Sequence, residues 1–426
     1  MSASDKTTVA SEGVAVTSHK PRILYVTPVW PRRTATGVHV RALNVLRALQ
    51  QIGTVEVVVL GDEYATGARF SEPGREIKVA YSIQVTPQRN SGFIEKLRWT
   101  LDPTANYPCG CQAEDGAMDR ILATLKEFDL IWFFKPRSSD MFPNTTWPRS
   151  VLDIDDLESR YEHSKLRAGG GLLEDFLTIR RQLAWKRREK LFGHRFTTLT
   201  VCSEEDREYL TRLGLRVPIH VIPNGVERPS VEPIRNVTLP PRIGFIAPFE
   251  YFPNRDGIHW FVKQCWPRIK FQVPDARLRL AGPGSDGPLK PLGRDVDGLG
   301  WLSSPSDEIK TWSLMIVPIR VGGGTRVKIA YGFSQKCPVV STSLGAYGYR
   351  VQSGCEMHLA DSAEAFADAC IRVIREPEKA AQMAERAWCQ YLEKWTWEAI
   401  QPSVWAAAED CLRRSSQNSS KAHVTP

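Results

Sequence analysis

VGGGTRVKIAYGFSQKCPVV, residues 321–340, decides how the chain is read. An apolar run of strand length, LMIVPI, 314–319, lies just before it. Three glycines follow, then Thr325, Arg326, Val327 and Lys328, then a short helical run, and after Pro338 another apolar run, PVVSTS. A buried strand, a glycine turn and a helix start in that order make a natural anion site. Glycine lets backbone approach a ligand closely, and the free N–H groups of the first helical turn point at it. Arg326 and Lys328 alternate with Val327 and Ile329, so both cations can project to one side if the first turn is extended. Pyrophosphate is the guest that suits this turn; a plain loop with two solvated cations is the other reading.

The same alternation of strand and helix fills the rest of the chain. RILYVT, 22–27, is followed by a loop with Pro28, Pro31 and Gly37, then by Val38, Ala42, Val45, Leu46 and Leu49 at helical spacing, Gly53 as a stop, and VEVVVL, 55–60. Further strands are expected at 129–134, 150–155 and 197–203, a long basic helix at 172–192, and a helix capped by Ser203. A Pro-rich polar stretch from Arg228 to Pro241 separates these from a second series: strands at 242–247 and 276–282 around a helix at 256–270, then the opening stretch. Strand–helix–strand units at this spacing predict parallel sheets, and 426 residues call for more than one core. The expected organisation is α/β, with two Rossmann-like doubly wound domains facing a cleft. Residues 1–20 read as a disordered leader, 21–228 as an N-terminal Rossmann-like domain and 229–396 as a C-terminal one. Residues 397–412 read as a helix packing back on the first domain, and 413–426 as a disordered tail. Parallel sheets bind ligands at the carboxyl ends of their strands, so the site is expected in the cleft.

Composition narrows the function classes. The apolar fraction of 42% is that of a soluble globular chain, and the net charge of +8 favours anionic partners. No apolar run approaches the roughly 20 residues of a membrane span, and the first twenty residues lack a signal-peptide core, which predicts a cytoplasmic protein. Nine cysteines are scattered without C-x-x-C or a His/Cys cluster, so reduced thiols are expected and neither metal nor cofactor. No nucleic-acid motif is present. The region RRQLAWKRREKLFGHR, 180–195, carries seven Arg or Lys and one acid, and Leu173, Phe176, Leu183 and Leu191 add an apolar stripe. Such a 173–195 helix can rest on an anionic membrane, peripheral on its inner face, or pack its stripe on the domain's own sheet and leave a solvated basic face.

The strings VCSEEDREYLTRLGLRVPIHVIPNGVE (201–227), PNRDGIHWFVKQCWPRIKFQVPDARLRLAG (253–282) and VPIRVGGGTRVKIAYGFSQKCPVVSTSLGAYG (317–348) resemble family 4 glycosyltransferases, which have the GT-B fold. The resemblance is densest from about 197 to 400 and continues more weakly to residue 22. It implies transfer of a sugar, with retention, from a nucleotide diphosphate sugar in the C-terminal domain. The resemblance makes 229–396 the nucleotide-sugar-binding domain and 21–228 the acceptor-binding domain; the acceptor would be a glycan or lipid-linked saccharide in cell-surface polysaccharide synthesis, and no divalent ion would be needed at the phosphates. Arg326 and Lys328, with Gly323, Gly324 and Thr325, would then meet the charge that grows on the leaving diphosphate. Asn254 and Arg255 would donate to the phosphates, or else form a helix N-cap region. Gly37 would let backbone approach a phosphate or acceptor from the other side, or is a simple turn glycine.

Two departures from that pattern bear on the chemistry. The family commonly carries two glutamates with seven residues between them, and here the positions hold Gly323 and Tyr331. Tyr331 could bond a ribose oxygen, stack on a base, or pack in the helix interface. In VLDIDDLESRY, 151–161, Asp155 stands where many relatives have a histidine, and Asp156 follows it. Asp155 could accept from a sugar hydroxyl or orient the acceptor; His163 is a weaker substitute for the missing histidine. Asp153-Ile154-Asp155 is also a D-x-D, which in GT-A glycosyltransferases binds manganese. A nucleotide-sugar epimerase and a non-catalytic binder on the same fold stay open as well.

Overall fold

The computed structural model describes residues 20–32, 37–60, 70–72, 75–83, 85–87, 92–104, 111–113, 116–140, 145–168, 171–287 and 293–422. The N-terminal part contains β1 (Arg22–Thr27), β2 (Thr54–Leu60), β3 (Phe70–Glu72), β4 (Arg75–Ile83), β5 (Val85–Pro87), β6 (Cys111–Ala113), β7 (Leu130–Phe134), β8 (Trp147–Ile154), β9 (Phe196–Val201) and β10 (Ile219–Val221). Eight of these form one sheet in the order β10-β9-β8-β7-β1-β2-β4-β3, parallel except at β3–β4, while β5 and β6 pair separately. The central strands are continuous apolar runs because both faces are covered. In β1, Ile23 and Tyr25 enter one core with Leu46 and Leu49, and Leu24 and Val26 enter the other with Ile121 and Phe133.

The second sheet is wholly parallel: β13 (Val296–Gly298), β12 (Arg277–Ala281), β11 (Arg242–Ile246), β14 (Leu314–Val317), β15 (Val339–Ser341) and β16 (His358–Leu359), in that order. Strand order reverses between β11 and β14, which is where an open parallel sheet leaves a crevice at its carboxyl edge. The glycine turn follows β14 at that edge, and Asp155-Asp156 follow β8 at the corresponding edge of the first sheet. The fold is thus α/β with two Rossmann-like domains, as the spacing predicts.

Two local expectations are corrected and one open choice is narrowed. The helix expected at 256–270 is a helix Phe252–Trp260, a π turn Phe261–Cys265 and a helix Trp266–Gln272. Pro267 has no N–H to continue the α ladder, so the chain takes up the wider turn before it. The final helix spans Trp397–Ala422, so residues 413–422 are helical rather than a disordered tail. No glycine or proline interrupts it after Pro402. Its apolar face, including Trp397, Ile400, Val404 and Cys411, lies in the first domain's core, where Trp405 Nε1 donates to Ala48 O at 2.9 Å. Finally, on the two readings left open for the helix Leu172–Arg195, its stripe residues Leu173, Phe176 and Leu183 are exposed and Leu191 is partly exposed, while Thr178, Ala184, Trp185 and Phe192 are buried.

Candidate active site

The glycine turn is shaped by close contacts that only glycine permits. Gly324 has φ +65°, and a Cβ there would collide with the Asp156 carboxylate. Gly323 lies against Leu157 O and the Cβ of Tyr161, and Gly322 N donates to Ser164 Oγ at 2.8 Å. The turn thus seats on the start of the helix Glu158–Ala168, in the first domain. Gly37 opens the helix Gly37–Ile52 and sits against Val327, so that helix N-terminus also faces the turn.

Arg326 is the extended residue before the helix Val327–Ser334, and it folds back over the turn. Its Nη1 donates to Gly323 O and to Gly324 O (3.1 Å), while its Nη2 is buried without a hydrogen-bond partner. Lys328 Nζ donates to Asn254 Oδ1 at 2.6 Å and lies 4.6 Å from the centre of the Phe245 ring. Asn254 is itself fixed by Pro248 O, 2.8 Å from its Nδ2. Burial, and then the neighbouring Arg326 charge, push the Lys328 ammonium well below its ordinary pKa. Among the described residues neither Arg326 nor Lys328 forms an ion pair. The turn therefore holds two cations whose only partners are dipoles. Arg255 is exposed on the first turn of the helix Phe252–Trp260.

The opposite wall is different. Asp153 is fully buried and paired with Arg41 at 2.7 Å, with Thr200 Oγ1 donating to the same oxygen at 2.8 Å. Arg41 also donates to Ile222 O, Pro223 O and Asn224 Oδ1. Asp155 is paired with Lys135 at 2.9 Å and accepts from Asn224 Nδ2 at 3.0 Å and from Cys202 Sγ. Burial pushes the Asp155 carboxyl up, but Lys135, Arg41 and Asn224 together hold it well below the usual range. Both carboxylates of the D-x-D are thus already ligands of protein cations, which argues against the manganese reading on its geometry. Asn224 Nδ2 also reaches Thr325 Oγ1, 3.1 Å away, and so ties the strand-end cluster to the glycine turn.

Asp156 stands apart. Its carboxyl makes no hydrogen bond or ion pair among the described residues and lies directly over Gly324. Burial, and then the charge of Asp155, push it up to about 7, while Lys135 and Arg326 pull the other way. Of the two aspartates, Asp156 is the one free to meet a ligand. His163 is exposed on the helix that follows and is no substitute for a strand-end histidine. Tyr331 is half-buried against the second domain's core, and its hydroxyl is 3.0 Å from Ser306 Oγ. It thus joins the helix Val327–Ser334 to the helix Pro305–Ile309.

Lys135, Asn224, Arg41 and Ser164 are site residues that the sequence pattern did not single out. Lys135 has φ +67°, which lets it turn back after β7 onto Asp155. The only sequence hint for Asn224 is its place in the Pro-Asn-Gly string after a strand.

Residues 240–376 match the family model described as "Glycosyl transferases group 1". A protein from Klebsiella pneumoniae described as an uncharacterized 44.6 kDa protein in cps region is 25% identical over 161 residues, 31% of this chain and 42% of that protein. The match thus spans less than half the length of that relative. Among solved structures, sucrose-phosphate synthase from Thermosynechococcus elongatus superposes with a TM-score of 0.65 at 16% identity, over 90% of this chain and 96% of that one. HepE from Anabaena, in complex with UDP and glucose, gives 0.58 at 14% identity, over 91% and 98%. WaaG, a glycosyltransferase involved in lipopolysaccharide biosynthesis, gives 0.58 at 11% identity, over 90% and 99%. The fold is that of the GT-B glycosyltransferases.

Proposed function

We propose that the protein is a retaining glycosyltransferase that moves a sugar from a nucleoside diphosphate sugar to a glycan or lipid-linked acceptor in polysaccharide synthesis. The observation that carries this reading is the pair Arg326 and Lys328, two half-buried basic side chains at a glycine turn that form no ion pair among the described residues, with Asp156 near the turn but bonded to neither. A diphosphate supplies the missing charge. As the glycosidic bond breaks, that charge grows, and preorganised cations and backbone N–H groups hold it better in the transition state than in the ground state. Two cations already in place make a divalent ion at the phosphates unnecessary. Asp156, above the turn and titrating near neutrality, accepts a hydrogen bond from a hydroxyl of the transferred sugar or the acceptor. Asp155 holds the wall together through Lys135 and Asn224. The family match over 240–376, the UDP and glucose bound by HepE and the lipopolysaccharide role of WaaG support the same reading.

Melting temperature against UDP, GDP and ADP, each in EDTA and in manganese, tests it. A ligand at about a hundred times its Kd stabilises the native state by about 2.7 kcal/mol. One base should raise the melting temperature in EDTA, and Arg326→Ala should lose most of that rise. A rise seen only with manganese, or with no nucleotide at all, would sink the proposal. Incubating the matching nucleotide sugar without acceptor separates an epimerase, which would still convert it.

A further inference from the structure

We propose that Tyr347, with Asp206 across the cleft, is a positioning residue for Arg326: the pair fixes the glycine turn from the first domain. The inference rests on the transferase reading only for the diphosphate that Arg326 meets. Its basis is the string YGYR, 347–350, in the chain after β15, where each residue has a separate contact. Tyr347 Oη donates to Asp206 Oδ1 at 2.6 Å, which joins the second domain to the helix Glu204–Arg212 of the first. Gly348 has φ +81°, and a Cβ there would collide with Thr325 of the glycine turn and crowd Ser203, the N-cap of that helix. Tyr349 Oη donates to Arg326 O at 2.9 Å and accepts from Ala330 N at 3.2 Å. The buried Tyr349 ring is held by stacking on Trp395, with centres 4.2 Å apart. Three consecutive residues thus run from a first-domain carboxyl to the backbone of Arg326.

The first-domain end of this chain of contacts is held on several sides. Asp206 is buried; its other oxygen accepts from Ser203 Oγ at 2.7 Å, and its N–H donates to the same hydroxyl at 3.1 Å. Arg160 lies over the Tyr347 ring at 4.8 Å and over the Tyr209 ring at 5.3 Å, with its Nε 3.9 Å from Asp206 Oδ1. Arg160 belongs to the helix Glu158–Ala168, which also carries Tyr161 and Ser164, the seat of the glycine turn. Arg350 adds contacts to Glu205 and Glu208 at 4.0 and 3.9 Å, but exposed pairs of this kind contribute little. The buried contact between Tyr347 and Asp206 is therefore the one that matters. Among the described residues the Arg326 guanidinium bonds only to carbonyls of its own turn, so whatever fixes the turn fixes the cation. A cation misplaced by about 1 Å loses much of its effect on a reacting group.

The test uses the full chain and Tyr347→Phe, which removes one hydroxyl and keeps the ring on Arg160. In the free protein, amide hydrogen exchange over 322–330 should quicken about tenfold, the effect of one hydrogen bond to a buried carboxyl, while β11 and β12 keep their rates. Asp206→Asn keeps an acceptor for Tyr347 and should exchange like the native chain. Titrations with UDP, GDP and ADP supply the second readout. The diphosphate that binds the native chain should bind Tyr347→Phe about tenfold more weakly. That loss should vanish in an Arg326→Ala background, since the hydroxyl acts through the arginine. Unchanged exchange over 322–330 overturns the proposal. So does exchange that quickens equally in β11 and β12, which marks a general loss of stability. An unchanged affinity, or a loss of affinity that persists in Arg326→Ala, overturns it too. Should no diphosphate bind the native chain, the transferase reading falls, and the exchange rates alone then decide whether Tyr347 fixes the turn.

Discussion

The two walls of the cleft treat charge in opposite ways. On the N-terminal wall, Asp153 faces Arg41 and Asp155 faces Lys135, so each fully buried charge has its counter-charge in the same domain. On the C-terminal wall, Arg326 and Lys328 face carbonyls and an amide. The two ion pairs of the first wall cancel and set shape; the basic side chains of the second wall are left without an ion pair, where an anion from outside can meet them. Gly322 on Ser164 and Thr325 on Asn224 keep the walls in register without cancelling that excess. The difference locates the ligand's charged end on the side of the glycine turn.

Breaking the neutral wall should have the largest effect. Arg41→Met leaves Asp153 buried without its cation, and removing one partner of a buried pair costs about 3 to 5 kcal/mol. Urea unfolding should show the loss, and Arg41→Met/Asp153→Leu should recover most of it. A single-variant cost below about 1 kcal/mol would mean that the wall does not depend on this pair.

Breaking the positive wall should do the reverse to stability. Lys328→Met should weaken nucleoside diphosphate binding about a hundredfold, the range for a charge-assisted contact of about 1.5 to 3 kcal/mol. It should leave the free protein as stable or more so, because a buried ammonium without a counter-charge is costly. The sign follows from linkage. The folded pKa of Lys328 is depressed by burial and Arg326, so the unfolded state takes up the proton more readily. The native state is therefore penalised at pH 7, and the gain from Met shrinks as the pH nears the unfolded value of about 10.4. Calorimetry and melting at pH 7 and pH 9.5 check both parts.

Asp156 sharpens the comparison because it belongs to the first wall in sequence and to the second in position. Its folded pKa near 7 lies above the unfolded value of about 3.9. Below about pH 4 both states are protonated. As the pH rises towards 7 the unfolded state loses its proton first, and stability is lost. Asp156→Asn should therefore melt with the native protein at pH 4 and a few degrees above it at pH 8. If the ionised carboxylate serves the reaction, the variant should also lose the rise in kcat/KM that the native protein shows through pH 7.

The walls were unequally legible in the sequence. Apolar runs of strand length and a triple glycine before a helix are local signals, and they place the strand, the turn and the helix start, but not Arg326, which folds back over the turn because the helix begins at Val327. The aspartates after β8 were visible as a cluster, but their division of labour was not. Asp155 is taken by Lys135 from β7 and Asn224 from the loop after β10, contacts that only the folded sheet creates. Arg41 gave no signal in the sequence, and its role arises only when the chain after β10 closes over it. Helical period likewise reveals the stripe of Leu173, Phe176, Leu183 and Leu191 but carries no sign for inside or outside. The neighbouring Trp99 and Trp185 decide that sense by occupying the buried side.

Tyr331 gives the smallest expected effect and the finest test of the positive wall. A tyrosine gripping the ribose would make the wall depend on a neutral donor as much as on its cations, and Tyr331→Phe would then weaken nucleotide binding by tenfold or more. The geometry points elsewhere. The hydroxyl already shares a hydrogen bond with Ser306 Oγ at 3.0 Å, and burial raises its pKa, so it stays neutral. A neutral hydrogen bond of this kind contributes about 1 kcal/mol. Tyr331→Phe should lower stability by about that much and change nucleotide affinity less than fivefold. Ser306→Ala should match it, and the double variant should cost little more than either single, since the two hydroxyls act as one unit. Additive losses in nucleotide affinity would instead place both hydroxyls on the ligand, and the wall would then bind through its neutral edge as well as its charge.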